Sequence, residues 1–356
     1  PGSAFCLSLS SGEITWEKPF GDLQTISGPS FAYGNVYLQA GSYDGSGTSL
    51  YALDAGTGDE TWVSSLDSDW DDYLPPTIYN KRLLTGGGSS GVLSFRAQTG
   101  QEIWFYNLSY NDLWTPAVYD DVVYTFTGNS NQAELVAINL YTGNSLWEKT
   151  DFPFEPFGSS MNTAPVLDTA NKNVIVTSAY YMHAINIETH DVSWDKTGVF
   201  GITPAIDNDY IYIIDEGMLH VFDKSNGNLE WVYPDMSDIN NPPIISNGHV
   251  ILCSDQQLKI INLTTHEEVW SFDKGGRVAV GNNNLVIATD YGEMYCFESD
   301  DLNGITDQEI QEKIELYPNP AQNKVNLCFH TSINGVFEIS IYSAQGKILY
   351  SEHYNA

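Results

Sequence analysis

The stretch LYALDAGTGDETW, residues 50–62, decides how this chain reads. Asp54 stands at the mouth of a turn, where an Asx side chain bonds to backbone amides further along the chain. Gly58, four residues on, supplies a positive φ without a Cβ clash. Trp62 follows after four more residues. Before the turn, Leu50 and Ala52 alternate with Tyr51 and Leu53, so the strand is apolar on both faces. Such a strand is buried on both sides, as in sheets stacked face to face. The returning strand carries an indole large enough to fill the gap between two sheets.

The pattern recurs as LVAINLYTGNSLW (135–147) and LHVFDKSNGNLEW (219–231). Trp16, Trp62, Trp104, Trp147, Trp194, Trp231 and Trp270 are separated by 46, 42, 43, 47, 37 and 39 residues. Four residues before each stands Gly12, Gly58, Gly100, Gly143, His190, Gly227 or His266, and four earlier again Ser8, Asp54, Arg96, Asn139, Asn186, Asp223 or Asn262. Two more β-rich runs precede each hairpin, such as Thr115 to Tyr119 and Val122 to Thr127, or Thr203 to Ile206 and Tyr210 to Ile214. Helical periodicity is absent through about residue 300. Four-stranded antiparallel units of about 42 residues predict an all-β propeller, each sheet burying both faces against its neighbours.

These units closely resemble the PQQ-like repeat over roughly residues 5–298. WD-repeat propellers share the period, but their Gly-His and Trp-Asp pairs are missing here. The chain opens at the third strand of a unit (Phe5 to Leu9) and ends the array with a unit that lacks its Trp strand. Seven or eight blades are therefore expected. Eight are preferred for a parent protein in which a segment upstream of Pro1 supplies the closing strand.

Composition narrows the partners. Acidic residues number 46 against 14 basic ones, a formal net charge of −32. That balance argues against nucleic acid, which needs a cationic footprint, and favours cations or basic proteins. Hydrophobic residues at 42 % supply a core. Cys6, Cys253, Cys296 and Cys328 show no CxxC spacing, and no apolar run approaches the length of a membrane span.

After residues 1–300, residues 301–315 read as an acidic linker and 316–356 as a separate small β-sandwich-like module. LYPNPAQNKVNL (316–327) and ISIYSAQGKILYSE (339–352) resemble the C-terminal sorting domain of the type IX (Por) secretion system. Pro318 and Pro320 bracket a rigid turn, and Gln345-Gly346 a hairpin. The resemblance implies export across the outer membrane of a Gram-negative bacterium, to the medium or the cell surface, through the secretion machinery. Its usual further hairpin and short basic end do not follow Ala356, so the tail reads as truncated.

Quinoprotein dehydrogenases share the repeat. The resemblance to them implies a quinone held between a Trp floor and a disulfide of adjacent cysteines, with calcium beside a catalytic Asp. No Cys-Cys pair occurs here, which argues against PQQ. No cofactor is expected and no catalytic residue is assigned. His190 and His266 read as turn residues in Gly's place, and His183 and His220, at equivalent third-strand sites, as packing. The connectors DSDWDDY (67–73), YNLSYNDLW (106–114), DFPFEPFG (151–158) and YPDMSDINN (233–241) gather at one end of the ring. There Trp70, Tyr73, Tyr110, Trp114, Phe154 and Phe157 make an aromatic, anionic rim suited to a protein or polysaccharide. The alternative is that these rings cap the blade ends. Asp67, Asp69, Asp71 and Asp72 present oxygen ligands suited to calcium, though without an EF-hand spacing. A binding scaffold is preferred to an enzyme, whether a quinoprotein-like oxidoreductase or a polymer-acting hydrolase.

Overall fold

The computed structural model describes residues 2–42, 47–66, 75–86, 91–108, 115–129, 132–153, 163–234, 236, 238–281, 284–289 and 292–298, and the backbone of 314–317, 326–329, 336–342 and 348–355. The chain divides into two units, Pro1–Cys6 with Ile14–Ile305, and Leu7–Glu13 with Thr306–Ala356.

The alternating apolar runs pair into the sheets of a β-propeller. Blade 3 shows the plan: Ala117–Tyr119, Val122–Asn129, Gln132–Asn139 and Ser145–Lys149 pair antiparallel in sequence order. Blades 1 (residues 30–66), 2 (77–107), 4 (166–197), 5 (205–233) and 6 (244–272) repeat it, blade 1 with Leu23–Ile26 as an additional strand beside its second. Blade 7 has three described strands, Arg277–Gly281, Asn284–Ala288 and Met294–Glu298. Ahead of blade 1, Gly2–Leu7 pairs with Ile14–Gly21 as the third and fourth strands of one further repeat. The innermost strands of blades 1 to 6 are neighbours in that order.

The core lies in the seams between blades. Each apolar cluster joins neighbouring sheets: Tyr37 and Leu50 of blade 1 pack with Leu83 and Phe95 of blade 2, and Trp194 of blade 4 with Ile211 and Phe222 of blade 5. The repeat tryptophans are the wedges. The indole N–H of Trp16 donates to the Ala55 carbonyl at 2.9 Å, Trp62 to Ala97 at 3.0 Å, Trp104 to Leu140 at 2.9 Å and Trp194 to Lys224 at 3.0 Å. Every acceptor follows the turn-opening residue of the next blade. The same indoles lie on that blade's turn glycine, where a Cβ at Gly58, Gly100, Gly143 or Gly227 would sit 2.3–2.7 Å from ring atoms. Glycine is thus required twice over, by positive φ (67–76°) and by contact.

Where the turn residue is histidine the seam differs. His190 and His266 take the expected positive φ (63° and 61°), and their imidazoles stack on Trp147 and Trp231 at 4.4 and 4.2 Å between centroids. The Asx mouths work as their chemistry dictates. Asp54 Oδ1 accepts from the amides of Gly56 and Thr57, and Asn139, Asn186 and Asn262 repeat this pair of bonds. A register shift recurs one residue before the turn in blades 1 to 6.

One seam buries an ion pair. Lys224 and Asp168 are buried, 7 % and 1 % exposed, with Nζ 3.2 Å from Oδ1. The Asp207 carbonyl accepts a further bond from Nζ, and Asn171 donates to the other Asp168 oxygen. In the second unit, Ile314–Tyr317 pairs with Asn326–Phe329, and Val336–Tyr342 with Ile348–Asn355. Gln345-Gly346 falls between the strands of the latter pair.

Candidate functional site

The two ends of the blades are built differently. At one end the first and second strands of blades 1, 2, 3 and 6 are joined by tight turns whose central residues both have positive φ, Tyr33-Gly34, Asn80-Lys81, Asp120-Asp121 and Asn247-Gly248. This is the hairpin geometry that matches strand twist. The Asx turns share that end. At the other end the fourth strand of each blade passes to the first strand of the next through 67–76, 108–116, 150–165, 198–204, 234–243 and 273–276.

Connectors that long must be anchored, and the described parts show how. A large apolar residue at or just after five of the outer strands is buried as a plug: Leu66, Leu108, Phe152, Phe200 and Met236. Phe152 stacks on Phe126 at 5.9 Å and meets the edge of His183 at 5.1 Å. His183 Nε2 lies 2.7 Å from the Pro153 carbonyl, which can only accept, so the ring donates from Nε2. Burial pushes its pKa down, against the raising effect of that carbonyl and of Asp195. His183 and His220 pair with Val176 and Ile213 at matching sites, as expected of repeat packing.

Where connectors enter the next first strand, blade-to-blade ties form a collar over four of the seams. Ser30 Oγ donates to the Pro76 carbonyl at 2.6 Å, Thr77 Oγ1 to Pro116 at 2.7 Å and Thr115 Oγ1 to Pro75 at 3.2 Å. Thr203 Oγ1 accepts from the Ala164 amide at 3.0 Å, and Arg277 Nη1 donates to Asn241 Oδ1 at 2.8 Å. Below Arg277, Asn241, Pro242, Ile244, Ile251, Cys253, Arg277 and Val278 line a cleft of about 190 Å³ between blades 6 and 7. The Cys253 thiol donates to the Gly276 carbonyl, and burial pushes its pKa up, so it stays a thiol.

The rim residues Trp70, Tyr73, Tyr110, Trp114, Phe154 and Phe157, and the carboxylates Asp67, Asp69, Asp71 and Asp72, lie outside the described residues. Among the described residues no group of His, Cys, Asp and Glu is placed to hold a metal, and no helix is long and apolar enough to cross a membrane. Sequence reasoning missed Phe152, Asn241, Arg277 and the Lys224–Asp168 pair. The proline and hydroxyl run before the first strands (Pro76-Thr77, Thr115-Pro116, Thr203-Pro204) was the signal available for the collar.

The repeats match the sequence family described as outer membrane protein assembly factor BamB over residues 1–194, 111–233 and 183–277. The chain belongs to that family. Residues 315–356 match the secretion system C-terminal sorting domain. This is therefore a BamB-like propeller with an export signal, destined for the medium or the outer surface of a Gram-negative cell. Among solved structures, BamB from Moraxella catarrhalis is 17 % identical over 81 % of this chain and 89 % of that one, with a TM-score of 0.66. A europium-containing methanol dehydrogenase is 11 % identical over 83 % and 81 %, at 0.62. The quinohemoprotein alcohol dehydrogenase from Comamonas testosteroni is 13 % identical over 76 % and 65 %, at 0.61. At these identities the likeness is one of fold. No curated protein matches the chain in sequence.

Proposed function

We propose that this secreted propeller is a binding scaffold that captures an extracellular protein or polysaccharide through its connector end. The observation that carries the reading is the asymmetry of the two ends. Turns of blades 1 to 6 at one end are no longer than five residues, whereas the other end carries the long connectors, with Leu108, Phe152, Phe200 and Met236 buried in four of them. Loops held on a rigid frame are where recognition residues concentrate. Trp70, Tyr73, Tyr110, Trp114, Phe154 and Phe157 belong to those connectors, and the net charge of −32 favours a basic partner or a neutral glycan.

Oxidoreductase chemistry of the quinoprotein kind does not suit these residues. The sequence has no two adjacent cysteines, and Cys6, Cys253 and Cys296 lie in separate sheets, while four of the repeat indoles are spent on seam carbonyls. The test is capture on a glycan array and in a surface-protein pull-down. The Trp70→Ala/Trp114→Ala double variant should keep its melting temperature and lose the captured ligand, and unchanged capture would end the rim reading. Calcium at Asp67, Asp69, Asp71 and Asp72 is part of the same proposal. EDTA should then lower the melting temperature, and no change would remove the ion from it.

A further inference from the structure

The cleft between blades 6 and 7 has the chemistry of a small-molecule site. Most collar ties are made by short uncharged groups, the hydroxyls of Ser30, Thr77, Thr115 and Thr203, each with a single O–H donor. Blade 7 departs from this. Its connector is short, and Gly275-Gly276 runs against the carbonyls of Ser254 and Ala288 so closely that no Cβ would fit. Arg277 then stands where Thr115 and Thr203 stand in blades 3 and 5.

A guanidinium has five N–H donors. Arg277 uses one, on Asn241 Oδ1, and among the described residues no carboxylate pairs with it. In a chain with 46 acidic and 14 basic residues, a cation left without a counter-ion at the mouth of a cleft is a chemical feature and not a default. Its orientation is imposed. Asn241 is 7 % exposed, and its amide nitrogen is committed to the Cys253 carbonyl at 3.3 Å and to Asn240 Oδ1 at 2.9 Å. Asn240 is held in turn by Asp255 at 2.6 Å. The amide oxygen therefore faces Arg277, and the fork is pinned at one corner with its other donors free among the described residues.

Beneath the fork the walls are Pro242, Ile244, Ile251 and Val278, with the neutral thiol of Cys253. A volume of 190 Å³ is room for about six waters. We propose that this cleft binds a carboxylate carried on a short, branched apolar group, the acid on Arg277 and the apolar part between blades 6 and 7. The long-range repulsion from the acidic surface is screened beyond about 8 Å at physiological salt, whereas the guanidinium acts in contact. The ligand chemistry is shared by a free short-chain acid and by the C-terminus of a peptide ending in a small apolar residue. The site stands on strand residues of blades 6 and 7 together with Asn241, so it holds whether or not the aromatic rim binds a polymer.

The experiment is calorimetric titration of the full chain with isovalerate, N-acetylvaline and N-acetylvalinamide. Both acids should bind and the amide at least about ten-fold more weakly, since it offers no charge to the fork. Tighter binding of isovalerate identifies a free acid as the source, and tighter binding of N-acetylvaline a peptide terminus. Arg277→Gln should abolish the preference for acid over amide, and Arg277→Lys should retain charge but lose most of the affinity. Equal binding of amide and acid, or no binding of any probe, overturns the proposal from the unmodified chain alone. So does an Arg277→Gln chain with an unchanged melting temperature and undiminished affinity for the acids.

Discussion

Four seams close on glycine and two on histidine, and the same tryptophan behaves differently in each. Against Gly58, Gly100, Gly143 and Gly227 the indole slides over the turn until its N–H reaches a carbonyl 30 to 39 residues away in sequence. Against His190 and His266 a Cβ stands in that path. The indole stacks face to face on the imidazole, and among the described residues neither Trp147 nor Trp231 donates a bond from its ring nitrogen. One wedge thus satisfies two geometries, a directed hydrogen bond or a ring stack. The choice is made by a single atom on the neighbouring blade.

The largest test falls on the glycine seam that buries an ion pair. Trp194 donates to the Lys224 carbonyl while the Lys224 side chain neutralises buried Asp168. Lys224→Ala removes the cation and leaves a buried carboxylate without a counter-charge, a loss of about 3–5 kcal/mol. Lys224→Ala with Asp168→Leu should recover most of it. Urea midpoints of the two chains check this, and equal midpoints would mean that the ion pair is not what holds blades 4 and 5 in register.

Gly100→Ala comes next. The new methyl would lie 2.3 Å from Trp62 at a φ of 67°. Strain of about 1–2 kcal/mol adds to about 1–3 kcal/mol for an orphaned buried carbonyl. Its converse, His190→Gly, sharpens the comparison. It loses a ring pair of about 0.5–1.5 kcal/mol but relieves positive φ and opens the path to the Ile187 carbonyl, so the midpoint should move little. Should Gly100→Ala be as mild as His190→Gly, glycine and histidine seams are interchangeable and the distinction fails.

The smallest effect concerns pH. Burial pushes the His183 pKa below its ordinary value, so the unfolded chain binds more protons than the folded one in the acid range. Stability from the neutral ring is complete above about pH 6.5 and is lost as pH falls below it. Acid also neutralises the carboxylates, so the reading must be differential. Between pH 7.5 and 5.5 the melting temperature should fall further for the natural chain than for His183→Phe. Parallel curves would show that the ring is protonated without cost against the Pro153 carbonyl.

Much of this was legible from residues alone. The offset of four between Asx, turn residue and Trp is local chemistry, and His190 and His266 adopt the backbone that Gly's place demands. The strand before each turn, apolar on both faces, is buried on both faces, as Leu50, Ala52 and Leu53 show. The collar and the cleft were not legible in the same way. Arg277 opens the first strand of blade 7 and Asn241 lies in the connector before blade 6, and nothing in the sequence marks the two as a pair.

Sequence by itself determined the strands, their turns, the propeller and the export tail, because each rests on contacts within a few residues or on a pattern repeated seven times. Tertiary structure alone decided which atom each indole meets, that Lys224 faces Asp168, and that one guanidinium is left over a cleft. Those are contacts between blades, set by how neighbouring sheets stack, and a linear pattern carries no information about which side chain a stacked sheet will bring opposite.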